Sequence, residues 1–380
     1  MSQTTSQFQN SKQTFQSVGG PFRADQVGSL LRSESIKKAR LQKAAGIITG
    51  EQLRAIENEE IKRIVEKQKE LGLKAVTDGE FRRAWWHFDF LENLVGVEGY
   101  DTETGIQFHQ KQTKSHAIKV TSKLDFANHP MLEDYKFLHS IAGEHTAKMT
   151  IPSPSMLHFR GEIGEDAYRD KQEFFHDLAL TYKKAIKAFY EAGCRYLQLD
   201  DTSWAYLCSD EQREQLKAKG MDPDELSAFY LQTINEAVAE RPSDMKITMH
   251  ICRGNFRSTY ITSGGYDKIS DAIFANLNVD GLFLEYDDNR SGDFEPLKSF
   301  KDGKTVVLGL VTSKFPELED PEKIKARIKE ASESIPLENL ALSPQCGFAS
   351  TEEGNVLTEE DQWNKIKHIV KIAKDVWGTL

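Results

Sequence analysis

Residues 246–252 read KITMHIC, a short run that alternates in polarity and ends on an imidazole and a thiol. Side chains two positions apart on a strand point the same way, so His250 and Cys252 would share one face at a strand end. Seven runs of similar length stand outward from it: FRADQVG (22–28), KAVTDGE (74–80), AKMTIPSP (147–154), RYLQLDD (195–201), GLFLEYD (281–287), TVVLGLV (305–311) and NLALSPQ (339–345). Stretches with helical spacing separate them: EQLRAIENEEIKRIVEKQKELG after the first run, QEFFHDLALTYKKAIKAFYEAG before the fourth, DELSAFYLQTINEAVAE before the fifth and PEKIKARIKEASESI before the eighth. Gly72 and Gly193 stand where helix-terminating glycines are expected.

Eight strands alternating with helices predict an α/β fold, a (β/α)8 TIM barrel. Neither GxGxxG nor a P-loop follows the first run, which argues against a doubly wound nucleotide-binding sheet. The 380 residues suffice for one barrel with insertions. Residues 1–20, rich in Gln, Ser and Thr, predict a flexible tail before a single catalytic domain over 21–380. The stretch 96–144 is too long for an ordinary connection, and its segment HAIKVTSKLDF predicts an inserted hairpin or lid after strand two.

With 39% hydrophobic and 28% charged residues, the composition is that of a soluble globular chain. No stretch reaches the roughly 20 apolar residues of a membrane span, and no apolar secretion signal opens the chain, so a cytoplasmic location is expected. A net charge of −10 without a Lys/Arg stripe argues against nucleic-acid and membrane partners. Cys194, Cys208, Cys252 and Cys346 are widely spaced, and free thiols are expected. Oligomeric state is not legible.

Active sites of such barrels lie at the C-terminal strand ends. Strand five supplies His250 and Cys252, strand six ends in Glu285, and Ser343-Pro344-Gln345-Cys346-Gly347 ends strand eight. If these ends share one rim, two thiolates, an imidazole and a carboxylate converge, a donor set suited to Zn2+. Singly, each has a plainer role as a hydrogen-bonded or core residue. Cys194, at a helix-to-strand turn on the opposite end, and Cys208, in a loop, read as bystanders. The rim also carries Asp78, Glu80, Asp200, Asp201, Asp287 and Asp288: either Glu80 and Asp200 hold a cationic amine, or a metal consumes some of these charges, or the carboxylates are solvated or paired with Arg82, Arg83 and Arg290. Trp85, Trp86, Phe88, Phe90 and Trp204 either stack on a flat ligand or pack helix against barrel.

These motifs resemble the catalytic half of cobalamin-independent methionine synthase, a zinc (β/α)8 enzyme that passes a methyl group from a folate to homocysteine. The likeness rests on Val27-Gly28-Ser29, Asp78-Gly79-Glu80-Phe81, Leu197-Gln198-Leu199-Asp200, Met249-His250-Ile251-Cys252, Leu284-Glu285 and Ser343 to Gly347. It implies that His250, Cys252, Glu285 and Cys346 ligate zinc and that Ser29, Glu80 and Asp200 hold the amino-acid end of the thiol. The chain departs from the pattern in three places. Lys314 stands where the family has a His after strand seven, Asp200-Asp201-Thr202 replaces Asp-Glu-Pro, and Phe159 replaces a folate-stacking Trp. At this length the chain resembles the short, single-barrel methionine synthase II-like members.

The expected activity is S-methyl transfer: a thiol, ordinarily protonated at neutral pH, would be deprotonated by zinc and attack a methyl group, with Glu285 as the catalytic ligand that weakens as substrate sulfur arrives. The donor, a methylated folate, a methylcorrinoid or a sulfonium compound, is not fixed by sequence. Two other readings stand beside it: a metal-assisted lyase, hydrolase or decarboxylase using the rim carboxylates, and a non-catalytic zinc protein that binds a thiol or amino acid.

Overall fold

The computed structural model describes residues 20–380 apart from 104–106, 109–110, 113–115, 256, 259–261 and 302, so the expected tail lies outside it except for Gly20. Strands two to eight form one parallel sheet in sequence order: Ala75–Val76, Thr146–Pro152, Tyr196–Asp201, Lys246–Ile251, Gly281–Glu285, Thr305–Val311 and Leu340–Pro344. The first run spans the gap between strands eight and two. Asp25 N donates to Leu342 O at 3.0 Å on one side, and on the other Leu30 N donates to Gly79 O at 3.0 Å and Thr77 Oγ1 to Gly28 O at 2.7 Å.

Only Ala24 and Leu342 form a ladder bridge in that first run. The Asp25 carboxylate accepts Phe22 N at 3.1 Å and Gln26 N at 2.7 Å, and this local capture competes with regular pairing. Strand two, expected over 74–80, keeps two residues because the chain turns at Asp78, with Gly79 and Glu80 both left-handed at φ 65° and 59°.

The helices start where capping chemistry places them. Thr49 and Gln52 close a capping box before Gly50–Glu70, and Asp222 with Pro223 and Asp320 with Pro321 open Pro223–Val238 and Pro321–Ala331. Three helices of eleven residues or more escaped the sequence reading: Glu34–Ala44, Met131–Ala142 and Glu359–Trp377. The second of these is the crossover from strand two to strand three, so the insertion is shorter than 96–144. It is the antiparallel pair Val95–Asp101 and His116–Asp125, joined in parallel by Gly161–Ile163.

Val27, Phe283, Val307 and Ala341 pack as a small apolar cluster separate from the main core. Phe283 precedes Glu285 by two strand positions, so this cluster lines the barrel interior beneath the carboxylate. Among the described residues no helix is long and apolar enough to cross a membrane.

Candidate metal centre

His250, Cys252, Glu285 and Cys346, all buried, bring one donor atom each within 4.8 Å of one another. Parallel register sets this up, because Phe283 pairs with His250 and places Glu285 just beyond it on the neighbouring strand. Cys346 arrives from strand eight through a tight approach: a Cβ on Gly309 would stand 2.7 Å from Gln345 Cα and 2.8 Å from Leu284 O. The two sulfurs lie 3.6 Å apart. That is too far for a disulfide, and two thiolates on one tetrahedral zinc, each at about 2.3 Å, stand about 3.8 Å apart. Spacing and donor chemistry both fit zinc.

The surroundings orient and charge these donors. His250 Nδ1 lies 3.3 Å from Asp200 Oδ1, which turns Nε2 toward Gln345 O at 3.3 Å and Glu285 Oε1 at 3.8 Å. Burial works against a charged imidazole, but the hydrogen bond to Asp200 and the charges of Cys346, Asp200 and Glu285 outweigh it and raise the His250 pKa to about 9. The hydrogen bond between the thiols, with burial, pushes Cys252 well up, whereas Cys346 is held down by that same bond and by the His250 and Lys314 charges.

A cleft lined by Val27, Ser29, Glu80, Trp86, Asp200, His250, Cys252, Cys346, Gly347 and Ser350 opens onto the cluster. The structure thus brings Ser29, Glu80 and Asp200 beside the tetrad. Glu80 Oε1 accepts Thr150 Oγ1 at 2.7 Å and lies 3.6 Å from Arg83, while Oε2 is buried with no hydrogen bond among the described residues. Burial raises its pKa, Arg83 opposes the shift and Asp200 adds to it. A Cβ on Gly347 would stand 2.0 Å from Ser29 Oγ, so a side chain there would force that hydroxyl to move.

Other rim residues take plainer roles. Asp201 accepts the hydroxyls of Ser153, Ser155 and Ser203, and Arg82 leaves the rim for Glu57 at 3.0 Å and Asp134 at 3.1 Å. Asp287 takes Lys314 at 3.0 Å and Arg290 at 2.7 Å. Trp204 is fully buried against Tyr230, whereas Trp86 reaches the cleft; Phe159 packs on Tyr206. Cys194 and Cys208 are buried elsewhere, their thiols pushed up by that burial to about 12 and about 11.

Sequence reasoning overlooked Thr150 and Arg32. Strand alternation could have found Thr150, two positions before Pro152 on strand three. Arg32 carries no sequence signal, yet its buried guanidinium donates to the carbonyls of Leu30, Ala349, Glu80 and Arg83 at 2.7–3.2 Å, tying together the loops that carry Ser29, Glu80 and Cys346.

A parallel barrel with a buried imidazole–dithiol–carboxylate tetrad at its C-terminal rim has a donor set able to hold a metal ion. The family model described as cobalamin-independent synthase, catalytic domain, matches residues 22–375, and the chain belongs to that methyltransferase family. It is 66% identical to the Bacillus subtilis uncharacterized protein YxjG, over 94% of this chain and 95% of that one. A solved Listeria monocytogenes structure, provisionally described as a vitamin-B12 independent methionine synthase, matches with a TM-score of 0.79 and 50% identity, covering 95% of this chain and 99% of that one. A Bacillus velezensis 5-methyltetrahydropteroyltriglutamate–homocysteine methyltransferase is 24% identical over 92% of this chain, which spans only 42% of that protein's length. Cobalamin-independent methionine synthases use zinc, and the tetrad here is a cluster that could hold it.

Proposed function

We propose that this protein is a zinc-dependent S-methyltransferase that activates homocysteine and methylates its sulfur to form methionine. The observation that carries this reading is the tetrad, three of whose members, His250, Cys252 and Cys346, line one cleft with Glu80, whose Oε2 is buried without a hydrogen bond among the described residues. His250, Cys252, Glu285 and Cys346 would hold the zinc, which would supply the positive charge that lowers a substrate thiol's pKa, so that its sulfur would take the methyl group as thiolate while the demethylated donor leaves with the bonding pair. Asp200 fixes the His250 ring, Glu80 and Asp200 offer negative charge to the substrate ammonium, and Ser29 borders the same cleft. Glu285 would be the ligand that gives way to substrate sulfur.

Two sulfur donors keep such a centre electron-rich and the bound sulfur nucleophilic, whereas hydrolytic zinc sites favour His-rich sets with bound water. This favours thiol methylation over a metal-assisted lyase or hydrolase. The methyl donor is a methylated folate or another methyl carrier. The test is methionine formation by the zinc-loaded protein from homocysteine and, in separate assays, a methylfolate, a methylcorrinoid and a sulfonium donor. Product from at least one donor, lost in Cys346→Ser, supports the reading, and no product from any of them overturns it.

A further inference from the structure

Glu285 is fully buried, and both of its oxygens are engaged. Oε1 accepts the backbone amide of Arg253 at 3.1 Å, and Oε2 lies 3.1 Å from Nη2 of Arg290. The same Nη2 is 2.7 Å from Asp287 Oδ1, and Asp287 Oδ2 takes Lys314 Nζ at 3.0 Å. Arg290 also pairs with Asp288 at the surface. A line of alternating charge therefore runs from the strand-seven loop to the carboxylate facing the cluster, and its last two acids share one guanidinium nitrogen.

We propose that Arg290 is the positioning residue that lets Glu285 leave the metal, keeping the carboxylate it already contacts as its ion-pair partner when substrate sulfur enters; the inference rests on the thiol-activation reading above. A carboxylate released inside a buried site is strongly disfavoured unless a cation receives it, and the Arg290 guanidinium already stands 3.1 Å from Oε2. Asp287 sets the balance. By competing for the same nitrogen, it keeps the guanidinium from drawing Glu285 away before the thiol arrives. The two residues should thus act on zinc in opposite directions.

The experiment is X-ray absorption at the zinc edge of the full-length, zinc-loaded protein before and after homocysteine, with zinc affinity measured by chelator competition. Wild type is expected to exchange an oxygen neighbour for a sulfur. Arg290→Gln should keep its oxygen, hold zinc at least as tightly and bind homocysteine about tenfold more weakly, while Asp287→Asn should hold zinc about tenfold more weakly. Arg290→Lys, which retains the charge, should retain the exchange. General damage to packing would weaken zinc in both Arg290→Gln and Asp287→Asn. That outcome, or exchange in Arg290→Gln as in wild type, or a zinc-loaded Arg290→Lys that keeps its oxygen, overturns the inference and leaves thiol activation standing. No new sulfur neighbour in wild type overturns both.

Discussion

Asp200 Oδ1 stands 3.3 Å from His250 Nδ1, across the register pair that joins strands four and five. Gln198 Nε2 steadies the same oxygen at 2.7 Å. Asp200 is therefore a support of the metal centre as well as part of the cleft wall. Asp200→Ala should lower zinc affinity about 10- to 100-fold, although it removes no ligand. Chelator competition measures this, and an unchanged affinity would confine Asp200 to substrate binding.

Glu80 should act on the amino group alone. Glu80→Gln is expected to leave zinc content intact and weaken homocysteine binding by about 2 kcal/mol, as for a charge-assisted hydrogen bond. A mercapto acid of similar length without the amino group should bind wild type and variant alike. Equal losses for both thiols would place Glu80 in the scaffold instead.

The approach of strands seven and eight has no room for a methyl group at Gly309. Gly309→Ala should cost about 1–3 kcal/mol of stability through overpacking and should also lower zinc affinity, because the displaced Gln345 backbone carries Cys346. Urea unfolding and metal analysis read the two effects. Loss of stability with wild-type zinc binding would show that strand eight shifts without moving its cysteine.

A buried imidazole, His129, and a half-buried one, His158, both outside the centre, give stability a pH dependence. Burial lowers the pKa of His129 and of His158 from 6.5 to about 4. Between those values the unfolded chain binds protons that the folded chain refuses, so stability falls as pH drops from about 6.5 toward 4, by up to about 3 kcal/mol per imidazole. Urea unfolding at pH 7.5 and pH 5 checks the sign, and the difference should shrink in His158→Gln. A fold equally stable at both pH values would contradict it.

The barrel was legible because its strands are apolar runs that end in reactive side chains, so the periodicity that locates strand five also places His250 beside Cys252. Strand eight yielded Cys346 in the same way. The reading failed where a side chain takes over a backbone bond: Asp25 caps its own segment, and the left-handed turn at Gly79 and Glu80 cuts strand two short. Helix Glu34–Ala44 has only Ile36 and Ala39 buried, too narrow a face to show as a period. The rim carboxylates could not be sorted from sequence, because what separates Asp201 from Glu80 is three serine hydroxyls brought in by the fold on one side and an empty oxygen on the other.

Zinc content together with proton release on adding homocysteine, for wild type and Cys346→Ser, tests whether the tetrad holds zinc in order to activate a thiol. One zinc per wild-type chain is expected, with a homocysteine-dependent proton that the variant fails to release. A metal-replete wild type that lacks zinc, or that holds zinc and releases no proton with any small thiol, would contradict it.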